Sequence, residues 1–136
     1  RIIVANRSLE RAETIAKKYH GHWIRLADVP AYLKEVDIVV TATASQLPIL
    51  GKGTLESALK VRKHRPIFIV DLAIPRDVEP EAAELEDIYL YNIDDLVSFV
   101  EQNLKCREEA AEKAQEMITI AAAHFMRAWR GQDALG

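Results

Sequence analysis

A chain of 136 residues, 49% apolar and 29% charged, is long enough to bury a core and has the composition of one ordinary globular domain. Its formal net charge of −3 gives no overall basic surface for nucleic acid. No apolar run approaches the roughly 18 residues of a membrane span, and the single cysteine, Cys106, excludes an internal disulfide framework and fits a reducing compartment.

The chain opens on "RIIVAN", a strand pattern with neither Met nor leader, which reads as a cut inside a larger protein. Ile2 to Ala5 is a buried strand by its β-branched run. Ser8 is a helix N-cap, after which Leu9, Ala12, Ala16 and Tyr19 share one helical face and Gly21 lies beyond the end. "HWIRL", 22 to 26, is a weaker strand. Asp28 and Pro30 open a short helix carrying Leu33 and Val36. Asp37 to Ala42 is the next buried strand, and a helix around Leu55 to Val61 follows, with Thr54 as its expected cap. "IFIVDLA", 67 to 73, is the strongest strand. A proline-bearing loop, "IPRDVEPEAAELED", leads to a last strand, "IYLYN", at 88 to 92. Strands that alternate with helices and are apolar on both faces predict an α/β fold with a parallel, Rossmann-like sheet covered on both sides. From Asp94 the period changes. Leu96, Val100, Leu104, Ala111, Ala114, Ile118, Ala121, Phe125 and Trp129 recur at three, four or seven, and no Gly or Pro interrupts Ile93 to Arg130. This predicts one long helix of about 50 Å. The expected organisation is a nucleotide-binding unit over 1–93 and a long helix over 94–136.

Ligands of open parallel sheets bind beyond the carboxyl ends of the strands. Three such ends are rich in small or polar residues: Asn6-Arg7-Ser8, Thr41-Ala42-Thr43-Ala44-Ser45, and Asp71 through Pro75. At the first, dinucleotide folds carry an acid for the adenosine ribose, or an Arg where a 2′-phosphate must be accommodated. Here no acid is present, and a guanidinium, an amide and a hydroxyl can all donate to phosphate. That points to NADP(H). No GxGxxG occurs anywhere, so Ile2 to Ala5 reads as the second strand of such a fold. The first strand, central in the usual order, would lie upstream and leave a gap beside "RIIVA".

The segments "VANRSLERAETIAKKYHG", "DIVVTATASQLPILGKG", "RPIFIVDLAIPRDVEPE" and "IYLYNIDDLVSFVEQNLKCREEAAEKA" resemble glutamyl-tRNA reductase. "ANRS" by itself also resembles shikimate dehydrogenases. The resemblance implies an NADPH-dependent enzyme of tetrapyrrole (porphyrin) biosynthesis, located in the cytoplasm or a plastid stroma. It would have an N-terminal catalytic domain with a nucleophilic cysteine, a central NADPH domain, and a spinal helix leading to dimerisation. It implies glutamyl-tRNA as substrate, homodimerisation through the C-terminal helix, and channelling of product to glutamate-1-semialdehyde aminomutase. Carried over, Asn6, Arg7 and Ser8 would bind the 2′-phosphate end of NADPH. Thr41, Ala42, Thr43, Ala44 and Ser45 would line the ribose and nicotinamide side, with Ala73, Ile74 and Pro75 near the nicotinamide.

The nucleophile does not carry over, because Cys106 lies in the long helix, and no residue here is assigned a catalytic or metal-binding role. These residues alone are therefore expected to be inactive. His20, His22, His64 and His124 have no metal-ligand spacing, and Asp94-Asp95 fits helix capping. Asp71 reads as holding Arg76 or a backbone turn, and Arg76-Asp77 as a structural ion pair. The alternatives are a shikimate-dehydrogenase-like NADP enzyme and a non-catalytic α/β dimerisation module.

Overall fold

A computed structural model describes residues 1–133, with side chains to residue 131. The chain divides into one unit of Arg1–Ile93 and a second that begins at Asp94.

In the first unit, β1 (Ile3–Asn6) pairs in parallel with β2 (His22–Arg25), with Ala5 opposite Ile24 and Asn6 opposite Arg25. They are joined by α1 (Leu9–Lys18), which buries Ala12 and Ala16 completely. Two alanines one turn apart let the helix backbone approach the strands closely. The expected stripe is narrower than the sequence suggests, since Leu9 and Tyr19 at its ends are exposed. Ser8 caps the helix: its hydroxyl accepts from the Arg11 N–H at 3.4 Å. The left-handed residue after α1 is His20, at φ 53°, and not Gly21. Gly21 serves a different need. A Cβ there would lie 2.9 Å from the Ile2 carbonyl oxygen, which accepts the His22 N–H at 2.8 Å to start the strand pair.

After a 3-10 turn at Leu26–Asp28 and the single-turn α2 (Val29–Tyr32), the chain builds a second parallel sheet in the order β3 (Ile38–Thr41), β4 (Ile67–Asp71), β5 (Ile88–Asn92). Between β3 and β4 runs α3 (Lys52–Val61). Its Leu55, Ala58 and Leu59, spaced three and four apart, join Leu33, Ile67, Ile69 and Ile88 in the core, with Val39 and Leu90 packed alongside. Each fully buried leucine contributes about 1.5–3 kcal/mol. The helix begins two residues before the expected Thr54. Its N-cap is Gly51, and the orphan Lys52 N–H donates to the Glu79 carboxylate at 2.8 Å, a cap supplied from 27 residues away. The Lys52 ammonium meets Glu84 at 2.6 Å, which holds it above its usual range.

The expectation of a sheet covered on both faces is corrected. Side chains alternate across a strand, and the register puts Ile38, Phe68 and Tyr89 on the face opposite the core. There Ile38 is 67% exposed, Val40 62% and Tyr89 51%. The apolar pattern of a doubly covered sheet is present, but α2 and α3 serve only the other side. Among the described residues β1 pairs only with β2, and β3 only with β4. This is the expected break between the second strand of a Rossmann-like sheet and the strands beyond its first.

Arg62, 3% exposed, ties the loops at the far end of the second sheet. Its guanidinium donates to the carbonyls of Val36 (2.6 Å), Pro66 (2.9 Å) and Arg65 (3.0 Å) and to the Asp37 carboxylate (2.7 Å). The hydrogen bond from Arg62 holds the Asp37 carboxyl below its ordinary range.

The second unit is α4 (Ile93–Asp133), 41 residues of uninterrupted helix. Asp94 and Asp95 sit in its first turn, where carboxylates favour the helix dipole. Val97, Val100, Leu104, Ile118, Phe125 and Trp129 are exposed along it. No helix among the described residues is long and apolar enough to cross a membrane.

Candidate dinucleotide site at the carboxyl edge

A cavity of about 610 Å³ opens between β1 and β3. It has two parts. Its floor is apolar, made of Ile3, Ala5, Ile24, Val36, Ile38 and Val40, and follows the two facing sheet edges. Its rim is polar and lies at the carboxyl ends of the strands: Asn6, Arg7, Ser8 and Arg11 on one side, Thr41 through Ser45 on the other. Eight of the eleven residues expected from sequence are therefore brought together, three from the first cluster and five from the second. Ala73, Ile74 and Pro75 are not among the lining residues. They follow β4; Ala73 is buried, Ile74 and Pro75 are exposed, and the peptide between those two is cis.

The first cluster divides its labour. The Asn6 side-chain oxygen accepts the Ser8 N–H at 3.0 Å, and the Ser8 hydroxyl caps α1. Both side chains thus shape the turn that leads into the helix N-terminus, a place where backbone N–H groups and the helix dipole favour an anion. Arg7 is the outward group: exposed, it reaches across the rim to the Ser45 hydroxyl at 3.3 Å. The rim carries two arginines, and no aspartate or glutamate lines the cavity.

The second cluster is held from beneath by two aspartates. The Asp71 carboxyl accepts four hydrogen bonds: from the Thr41 hydroxyl (3.0 Å) and the N–H groups of Ala73 (3.0 Å), Asp77 (2.9 Å) and Val78 (3.0 Å). Asp71 therefore holds the backbone turn. Asp77, fully buried, accepts the Thr43 N–H at 2.8 Å and, through its other oxygen, the Thr43 hydroxyl. Sequence reasoning read Asp77 only as a partner for its neighbour Arg76. Its contact with Thr43, 34 positions away, has no local signal. Among the described residues no group of three or more His, Cys, Asp or Glu is placed to hold a metal ion, and Cys106 is exposed on α4.

The donor set can hold an anionic group at the adenosine end of a dinucleotide. The rim offers a guanidinium, a second arginine and a helix N-terminus, and no competing carboxylate. The glycine-rich turn that would take the diphosphate is not in this sequence.

Comparison with known proteins agrees with this geometry. Residues 1–99 match the family described as shikimate / quinate 5-dehydrogenase. Over 134 residues the chain is 56% identical to the glutamyl-tRNA reductase of Nitrosococcus oceani, covering 98% of this chain and 32% of that protein. Over 124 residues it is 58% identical to that of Coxiella burnetii, covering 91% and 30%. It thus spans about a third of the length of the curated relatives it matches. The solved glutamyl-tRNA reductase of Methanopyrus kandleri superposes with a TM-score of 0.73 at 38% identity, over 82% of this chain and 28% of that one. The nucleotide-binding domain of the Thermoplasma volcanium enzyme superposes at 0.61 and 23% identity, over 79% and 67%, which shows the common fold. The chain belongs to the shikimate / quinate 5-dehydrogenase family, and over nearly its whole length it is similar to part of the glutamyl-tRNA reductases.

Proposed function

We propose that these residues form the NADPH-binding part and spinal helix of a glutamyl-tRNA reductase, which reduces glutamyl-tRNA to glutamate-1-semialdehyde for tetrapyrrole synthesis in a reducing, cytoplasmic setting. One observation carries the choice of coenzyme: Arg7 stands exposed at the end of β1, in a cavity lined by no acid. An acid at that place would select the ribose hydroxyl; a guanidinium selects the 2′-phosphate. The bound nicotinamide supplies the hydride. The work of this chain is to hold and orient it, which needs no acid, base or nucleophile from residues 1–133. Asn6, Ser8 and the α1 N-terminus shape the phosphate end, while Thr41 to Ser45 form the opposite wall; Ala73, Ile74 and Pro75 belong to the nicotinamide side in this reading. The tRNA substrate and the thioester-forming cysteine are assigned to the remainder of the protein, so residues 1–136 alone are inactive. The exposed apolar residues of α4 favour a homodimer through that helix, and hand-over of product to an aminomutase fits the same scheme.

Coenzyme titration of the full-length protein tests the reading. A charge-assisted bond to phosphate is worth about 1.5–3 kcal/mol, so Arg7→Ala should weaken NADPH binding roughly 10- to 150-fold and leave NADH nearly unchanged. Equal affinity of the unaltered protein for both coenzymes refutes it.

A further inference from the structure

We propose that Asp77 is a positioning residue for the coenzyme, acting through Thr43 and Ser45 on the guanidinium of Arg7. The proposal rests on the NADPH reading above and deepens it.

The loop after β4 turns around the Asp71 carboxyl, which takes the N–H of Asp77 itself. Asp77 then grips the rim segment at two places. Its carbonyl accepts from the N–H groups of Ile49 (2.7 Å) and Leu50 (3.0 Å), and its side chain takes both the N–H and the hydroxyl of Thr43. The stretch from Thr43 to Leu50 is thereby fixed at both ends by one buried residue.

The donor directions run inward in one sense, from the rim to the buried carboxylate. The Thr43 hydroxyl gives its hydrogen to Asp77, so it meets the Ser45 N–H, at 3.2 Å, only as an acceptor. The Ser45 hydroxyl gives its hydrogen to the Leu47 carbonyl at 2.7 Å, so it meets Arg7 only as an acceptor. Arg7 can only donate. Each hydroxyl is therefore committed as a donor elsewhere, Thr43 to the buried Asp77 carboxyl and Ser45 to the Leu47 carbonyl, and is left to accept from the next partner out, ending at the exposed guanidinium. A long exposed side chain loses about 2 kcal/mol of rotamer freedom when a ligand immobilises it. Holding it beforehand at Ser45 lowers that cost and raises affinity for the group it meets. The effect falls on the 2′-phosphate, and hence on the ratio of NADPH to NADH affinity.

The test measures dissociation constants of the full-length protein for both coenzymes. Asp77→Ala is expected to lower the NADPH:NADH affinity ratio by about tenfold. Asp77→Asn keeps an oxygen for the Thr43 N–H and should lower it less than about threefold. In an Arg7→Ala background Asp77→Ala should leave the ratio unmoved, whereas a merely structural role would weaken both coenzymes alike. Should Asp77→Ala fail to fold, Thr43→Val removes the hydroxyl link at nearly constant shape and must lower the ratio in the same direction. A ratio within about twofold of the unaltered protein, in either Asp77→Ala or Thr43→Val, overturns the proposal and leaves the NADPH reading intact. An equal fall with and without Arg7 also overturns it. An unaltered protein that does not prefer NADPH overturns both.

Discussion

Replacing Arg62 with methionine isolates one buried cation whose partners are almost all backbone. Four of its contacts are 3.0 Å or shorter: Val36, Asp37, Pro66 and Arg65. Hydrogen bonds from a charged donor contribute about 1.5–3 kcal/mol each, so the three backbone carbonyls set an upper sum near 5–9 kcal/mol. Three acceptors lie on exposed residues, Asp37, Arg65 and Pro66, and recover water when the guanidinium is gone, so most of that sum is returned. Methionine keeps the apolar stem in place. The expected loss is about 1–3 kcal/mol, the range for leaving a buried polar partner unmet. Urea denaturation followed by far-UV circular dichroism reads it as a lower midpoint at constant slope. The difference should depend on pH with a definite sign. Arg62 holds the folded-state pKa of Asp37 below the ordinary 3.8. The Asp37 contribution is therefore complete above 3.8 and lost as pH falls through the depressed folded value. The gap between variant and parent should narrow over that acid window. A midpoint shift worth less than about 1 kcal/mol at neutral pH, or a gap that does not narrow in acid, refutes the reasoning.

Asp71→Asn turns one of two acceptor atoms toward donors. Even with the Thr41 hydroxyl reversed, a buried N–H is left unmet, for a loss of about 2–4 kcal/mol in the same denaturation assay; an unchanged midpoint would contradict the four-acceptor role. The turn after α1 offers a paired test of opposite sign, read by thermal melting. Gly21→Ala pushes a methyl against the Ile2 carbonyl and should cost about 1–3 kcal/mol, whereas His20→Gly relieves a left-handed residue and should gain about 1 kcal/mol.

Runs such as "IFIVD" and "IYLYN" locate the strands to within two residues, because β-branched and aromatic residues between turn formers carry a local signal. The carboxyl-edge rule then brings Asn6–Ser8 and Thr41–Ser45 to one rim without knowledge of side-chain positions. What local pattern does not carry is long-range. Arg62 sits in "KVRKHRP", where no local pattern marks one cation for burial, and its partners lie 25 to 29 positions back as well as beside it. Glu79 caps a helix that precedes it by 27 residues, and Asp77 serves a threonine 34 residues earlier. The uncovered face of the second sheet was illegible for another reason: alternation reports which residues suit burial, and nothing in Ile38 or Val40 states what will lie over them.

That uncovered face bears on how the 1–136 polypeptide must be handled. Dyes that brighten on apolar surface report unfolding only when the native state is dark to them. With Ile38, Val40, Phe68 and Tyr89 presented side by side, the native polypeptide will light such a dye at the outset, and heating will scatter the signal instead of raising it. Backbone dichroism, or the fluorescence of the half-buried Trp23 in β2, is the reporter for melting it.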